Sequence, residues 1–178
     1  TRDEAKAAEL RIKGWSRAKK MALIRGDWEA ISRLAKKKGS PSTSSGQTGL
    51  EVSAQALDAM RAAALAAHPL EACGILLGTG GRITEARQTA NVHPSPHTHF
   101  EIDPQALIDA HRAARAGGPD VAGYFHSHPV GAAAPSATDR ASAAGDGRIW
   151  AIIAGADITF WHDAATGFAP VSYGLVAQ

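Results

Sequence analysis

Every lysine in the 178-residue chain lies at or before Lys38. The eleven residues that follow, GSPSTSSGQTG (39–49), carry no charge and no large apolar side chain. A tract of that composition reads as a flexible linker, either natural or the junction of a fusion. It separates two parts of opposite charge. Residues 1–39 hold 12 Lys+Arg against 5 Asp+Glu, whereas residues 40–178 hold 7 Arg against 12 acids. The expected organisation is a basic helical segment at 1–38, a linker at 39–49 and a domain at 50–178. The chain opens on Thr1 rather than Met, so it reads as a piece of something longer.

Residues 1–38 are rich in Ala, Lys, Glu and Leu, which favours helix. Leu10, Trp15, Ala18, Ala22, Trp28, Ile31 and Leu34 form an interrupted apolar stripe, and Gly26-Asp27 breaks it into two helices. So few apolar residues cannot form a core alone. The segment is expected to carry an interaction, as a tethered partner or a contact between copies, and not to be needed for chemistry. It is similar to the C-terminal helices of small GIY-YIG endonuclease-like proteins, but the catalytic half of that family, with its Tyr motifs, is absent. Nuclease activity is not expected.

From Leu50 the pattern is α/β. SAQALDAMRAAALAAHP (53–69) reads as a helix capped by Ser53, and PQALIDAHRAARAGG (104–118) as a second, with Pro104 in its first turn. ACGILLG, RITEARQTAN, THFEID, VAGYFHSH, RIWAIIAG, DITFWHD and APVSYGLVA read as strands, and SATDRASAAG as a short helix. At 44% hydrophobic residues the chain can build a core. The single cysteine, Cys73, excludes an intrachain disulfide and a CxxC zinc ribbon, and points to a reducing cytoplasm. No apolar run is long enough to span a bilayer, and no signal peptide is visible.

The chemistry concentrates in HSHPVGAAAPSATD (126–139). On a strand, His126 and His128 share a face and Ser127 points away. On a helix, Ser136 and Asp139 share a face. The loop between Pro129 and Pro135 folds that helix back over the strand, so two imidazoles and one carboxylate can converge on one ion. Three protein ligands with one open position is the pattern of catalytic zinc, which lowers the pKa of its water to about 7. Each half has a plainer reading: His-x-His on a strand is often a surface feature, and Ser-x-x-Asp at a helix start is usually a cap. A hydrolase would also need a general base nearby.

His126-x-His128, then Ser136 and Asp139, resembles the signature of the JAMM/MPN metalloproteases. HPLEACGILLG (68–78) looks like that family's upstream glutamate element, with Glu71 in the glutamate's position. NVHPSPHTHFEIDPQALIDAHRAAR and GDGRIWAIIAG look like short prokaryotic members, and the resemblance covers about residues 52–172. It implies the JAMM/MPN fold, a cytidine-deaminase-like mixed sheet flanked by helices. It implies one zinc per chain on His126, His128 and Asp139. Glu71 would be the base that deprotonates the metal-held water and protonates the leaving amine, and Ser136 a donor to the developing oxyanion. The implied activity is an isopeptidase or peptidase cutting after the C-terminal tail of a ubiquitin-like or sulfur-carrier protein. Such a tail binds as an extended strand, and HTHFEID is the expected edge for it. The rival readings are a non-catalytic MPN scaffold, which usually lacks one or more ligands, and a zinc deaminase, which needs a Pro-Cys-x-x-Cys pair. Neither membrane nor nucleic acid is an expected partner.

The remaining polar and aromatic residues have quieter readings. Cys73 inside an apolar strand reads as a packed small residue rather than a nucleophile. His97 and His99 form a second His-x-His, with Glu101 and Asp103 following, and line the substrate groove more readily than they bind a metal. Trp150 and Trp161 fall in strands and read as packing.

Overall fold

The computed structural model describes residues 49–176. The expected helices at 1–38 and most of the linker lie outside the described residues. Eleven elements run in the order β1 (Leu50–Ser53), α1 (Ala54–Ala67), β2 (Cys73–Thr79), β3 (Arg82–Thr89), α2 (Pro104–Arg115), β4 (Asp120–Ser127), α3 (Ala137–Ser142), β5 (Ile149–Ala154), β6 (Asp157–Ala164), β7 (Gly167–Val171) and β8 (Tyr173–Val176). The eight strands form one mixed sheet in the order β7-β6-β5-β4-β2-β3-β1-β8. Pairs β1/β3, β1/β8 and β4/β5 are parallel and the rest antiparallel.

That order forces the sheet to curl. β7 and β8 sit at opposite edges, yet only Ser172 separates them in sequence. Seven strand spacings of a flat sheet would span about 34 Å, and the two Cα steps from Val171 to Tyr173 reach less than about 8 Å. The edges must therefore come together, and Tyr173 of β8 packs its ring 4.8 Å from that of Phe160 in β6. APVSYGLVA is thus two strands split at Ser172, not one. LEVS, with no expected element, is a third short strand of this closure.

The sheet is covered on both faces. α1 lies over one, with Val52, Leu57, Met60, Leu76, Ile83, Phe125, Ile153 and Phe160 as the main core. α2 lies over the other, with Ile75, Leu77, Ala110 and Val121. Successive residues of β2 thus enter different cores, which is why CGILLG is continuously apolar rather than alternating. Ser53 caps α1 as expected: its Oγ accepts from the Ala56 N–H at 3.1 Å and its hydroxyl donates to the Thr84 carbonyl at 2.9 Å.

THFEID (98–103) is not a strand. Its one ladder element is an isolated bridge between Asn91 and Ile102. The alternating pattern is misleading here because the backbone has other partners. The His99 carbonyl and the Glu101 N–H bond to the Asn91 side chain, and His99 N–H donates to the Ser95 carbonyl in a turn. Trp150 is buried, as expected of packing, and Trp161 is half-buried with its Nε1 donating to Thr159 Oγ1 at 2.9 Å. Among the described residues no helix is long and apolar enough to cross a membrane.

Ser53→Ala removes both the cap and the cross-element bond. We expect it to cost about 1–2 kcal/mol. The check is urea denaturation, with a lower midpoint and an unchanged m-value.

Candidate metal centre

β4 ends at Ser127, and His128 lies one residue beyond it. The His128 N–H still donates to the Ile153 carbonyl at 2.7 Å, so the extended course continues and both imidazoles face the same way. His126 Nε2 and His128 Nε2 are 3.0 Å apart. α3 brings Asp139 onto them from above, with Oδ1 at 3.1 Å from His126 Nε2 and Oδ2 at 3.3 Å from His128 Nε2. Among the described residues this is the one group of His, Cys, Asp and Glu side chains placed to hold a metal, with ligand atoms all within 4.8 Å of one another.

Ser136 is the N-cap of α3. Its Oγ accepts from the Asp139 N–H at 3.1 Å, and its own N–H donates to Asp139 Oδ2 at 2.7 Å, a complete capping box. The cap reading of Ser-x-x-Asp thus holds, and the cap leaves the Asp139 carboxylate beside both histidines. Capping uses a lone pair of the Ser136 oxygen and leaves its hydroxyl proton available to donate.

His126 is fully buried. Phe100 stacks on its ring at 4.3 Å between centroids, and Trp150 meets it edge-on at 5.8 Å. Burial pushes the His126 imidazole below its ordinary pKa, against the pull of Asp139. The bond with Asp139 holds His128 above its ordinary value against partial burial, with help from the Ala132 carbonyl. Burial alone would raise Asp139, but its bonds to both histidines and to the Ser136 N–H outweigh this and hold it well below the ordinary carboxylate range. The result is an anionic carboxylate and a neutral imidazole pressed against a second imidazole. His126 Nδ1 is buried with no partner. Lone pairs crowded in this way call for a cation at their centre, and two imidazoles with one carboxylate fit zinc with one position left open.

Glu71 stands just before β2, two residues ahead of Cys73. In the β2/β4 pair Cys73 opposes His126. One step on, the Ser127 N–H donates to the Ala72 carbonyl at 2.9 Å and the Ala72 N–H donates to Ser127 Oγ at 2.8 Å. Glu71, the next residue back, lines one cleft with Asp139 and lies close enough to His128 for their charges to interact. The Glu71 side chain is buried, and burial is the main reason its pKa is pushed up to about 7, with His128 opposing and Asp139 adding to the rise. A cleft of about 250 Å³ is lined by Glu71, Asp139, His93, His99, Phe100 and Trp150.

The second His-x-His divides. His99 lines this cleft and stacks on His93, with centroids 4.7 Å apart. The exposed His97 instead bonds the Pro69 carbonyl through Nδ1 at 3.3 Å. Cys73 is fully buried, and burial raises its thiol pKa, which suits packing rather than nucleophilic attack. Sequence reasoning missed Ser127, Asn91, His93 and Phe100. The signal for Ser127 was a hydroxyl on the core-facing side of the strand between the two histidines.

The chain is 36% identical over 86 residues to a desampylase of Haloferax volcanii, a match covering 47% of this chain and 62% of that one. It is 37% identical over 83 residues to a probable TtuB-protein conjugate cleaving protease of Thermus thermophilus, covering 47% and 55%. It therefore spans less than two thirds of the length of either relative. A JAB1/MPN domain protein from Archaeoglobus fulgidus, 20% identical, shares the fold with a TM-score of 0.50 over 74% of this chain and 100% of that one. The family model for prokaryotic homologs of the JAB domain matches residues 53–164, a span that holds Glu71, His126, His128, Ser136 and Asp139, and the chain belongs to that family.

Proposed function

We propose that the domain is a zinc-dependent isopeptidase that cuts after the C-terminal tail of a ubiquitin-like or sulfur-carrier protein. The observation that carries this reading is the buried Glu71 lining one cleft with Asp139, close enough to His128 and Asp139 for their charges to act on it. A scaffold has no use for a desolvated carboxylate next to an open ligand cluster, whereas a hydrolase needs a base there. The names of the Haloferax and Thermus relatives support a modifier conjugate as substrate.

His126, His128 and Asp139 would hold the zinc. When bound, zinc supplies Lewis acidity and an acidified water. Glu71 takes a proton from the attacking water and returns it to the leaving amine. Its elevated pKa suits both halves of that task near neutral pH. The Ser136 hydroxyl donates to the oxyanion that develops on the scissile carbonyl. Phe100 and Trp150 exclude water from the His126 side of the centre. The tail enters the cleft beside the 92–103 loop, which offers it no continuous strand edge.

The direct test is incubation of the zinc-loaded chain with linear and lysine-linked ubiquitin-like fusions, with mass spectrometry of the products. Cleavage after the modifier's terminal residue supports the reading, and intact fusions across several modifiers reject it. Glu71→Gln should keep about one zinc per chain and lose about 10²–10⁴-fold in turnover. Near-normal turnover would remove Glu71 from the mechanism.

His128→Ala should lower bound zinc in metal analysis. Binding to the parent should weaken as pH falls, because protons compete for a histidine whose pKa is held above the ordinary value. Undiminished zinc in the variant would contradict the ligand assignment.

The metal-free chain carries a pH signature from Glu71. Its folded pKa, about 7, lies above the ordinary 4.5. Below the lower value the carboxyl is neutral in both states. Between the two, the unfolded chain releases a proton that the folded chain retains, so this group's contribution to stability falls as pH rises and is lost above about 7. Gln carries no such penalty. The stability of Glu71→Gln relative to the parent should therefore grow between about pH 5 and about pH 8, as read by denaturation in chelator.

A further inference from the structure

We propose that Asn91 is the positioning residue that holds Glu71 in place and couples it to the loop against the metal centre. Glu71 belongs to no strand: β2 begins two residues later, at Cys73. Its backbone is held from outside. The Glu71 N–H donates to the Pro96 carbonyl at 2.8 Å, and the Glu71 carbonyl accepts from Asn91 Nδ2 at 3.0 Å.

The Asn91 amide is fully engaged. Nδ2 also donates to the His99 carbonyl at 3.0 Å, while Oδ1 accepts from the His93 N–H at 3.1 Å and from the Glu101 N–H at 3.0 Å. A side-chain amide offers two donor hydrogens and two acceptor lone pairs, and here each meets a backbone group. Three separate stretches are pinned by one residue: Glu71 ahead of β2, His93 at the start of the loop, and His99 to Glu101 at its end. Phe100 lies between the last two and stacks on His126. The amide thus joins the stretch carrying the proposed base to the stretch packed on a proposed zinc ligand. A residue that filled space alone would not need both donors and both acceptors directed in this way.

The proposal rests on Glu71 acting as the base, and the experiment separates the two claims. Asn91→Asp keeps the acceptors for His93 and Glu101 but replaces the donors to Glu71 and His99 with a repelling oxygen. Asn91→Ala removes all four bonds without repulsion and serves if the aspartate variant does not fold. The zinc-loaded full chain is assayed as parent, Asn91→Asp, Glu71→Gln and the double variant. Zinc content should stay at the parent's value, since no ligand changes. The turnover number should fall about 10–100-fold with KM within about twofold, because a misplaced base slows chemistry without weakening tail binding. In the Glu71→Gln background the second substitution should cost nothing further, because its effect passes through the missing base. Backbone hydrogen exchange at Glu71, His93 and Glu101 should speed up while β4 and β5 stay protected. Unchanged turnover and exchange, or losses that multiply in the double variant, would overturn the proposal. If the parent cleaves no fusion, the isopeptidase reading fails, and exchange at Glu71 still decides whether Asn91 positions it.

Discussion

The centre depends on one antiparallel register, that of β2 against β4. Opposing residues in such a pair are fixed by hydrogen bonds, and a slip of one residue would turn every side chain to the other face. With Cys73 opposite His126, the pairing carries Ala72 to Ser127. Ser127 locks this last step with a side chain as well as a backbone bond. The proposed base thus stands two residues ahead of the strand that pairs with the one carrying His126. β5 holds β4 from the other side in parallel, pairing Ile152 with His126 and Ile153 with Ser127. At Gly123 this pairing runs so close that a Cβ would lie 1.8 Å from the Ile149 carbonyl oxygen, which excludes any larger residue there.

Burial then gives that geometry its chemistry. Taking an imidazole and two carboxylates out of water is costly unless they are paired. Here the pairing is uneven. Asp139 is satisfied by two histidines and a cap, so it stays ionised, whereas Glu71 has neighbours of both signs and keeps the penalty of burial. Two acids near one centre are driven apart in pKa by their surroundings, which is how one stays ionised and the other becomes a group able to gain and lose a proton near neutrality.

Much of this was legible in the sequence, and the failures share a cause. His126, His128 and Asp139 were readable because strand and helix periods place them on common faces, and the local chain obeys those periods. Glu71 could be named only by resemblance, because its place near the histidines follows from β2 pairing with a strand about fifty positions away. β1 escaped notice because a four-residue strand is shorter than any periodicity window, and β7 and β8 read as one strand because the break at Ser172 is set by a ladder that joins distant parts of the chain. The 98–103 stretch looked like a strand because its side chains alternate. Alternation reports where side chains point and not where backbone bonds go, and here the Asn91 amide takes the groups a neighbouring strand would have taken.

The division of labour within Asp139 shows why a six-residue helix can carry a proposed ligand. An isolated helix that short has almost no stability of its own, because nucleation is not repaid over so few bonds. α3 exists because its start is capped, and the capping partner is Asp139 itself, through the Ser136 N–H. The same carboxylate reaches back to the strand, Oδ1 toward His126 and Oδ2 toward His128. Helix formation and assembly of the proposed ligand set are therefore one event. Charge at Asp139 serves both, since an anion near a helix start is favoured by the exposed N–H groups and an anion between two imidazoles is favoured by any cation placed there. Ser136 is fixed by the same box, so the hydroxyl proposed to steady the oxyanion takes its position from the carboxylate proposed to bind the metal.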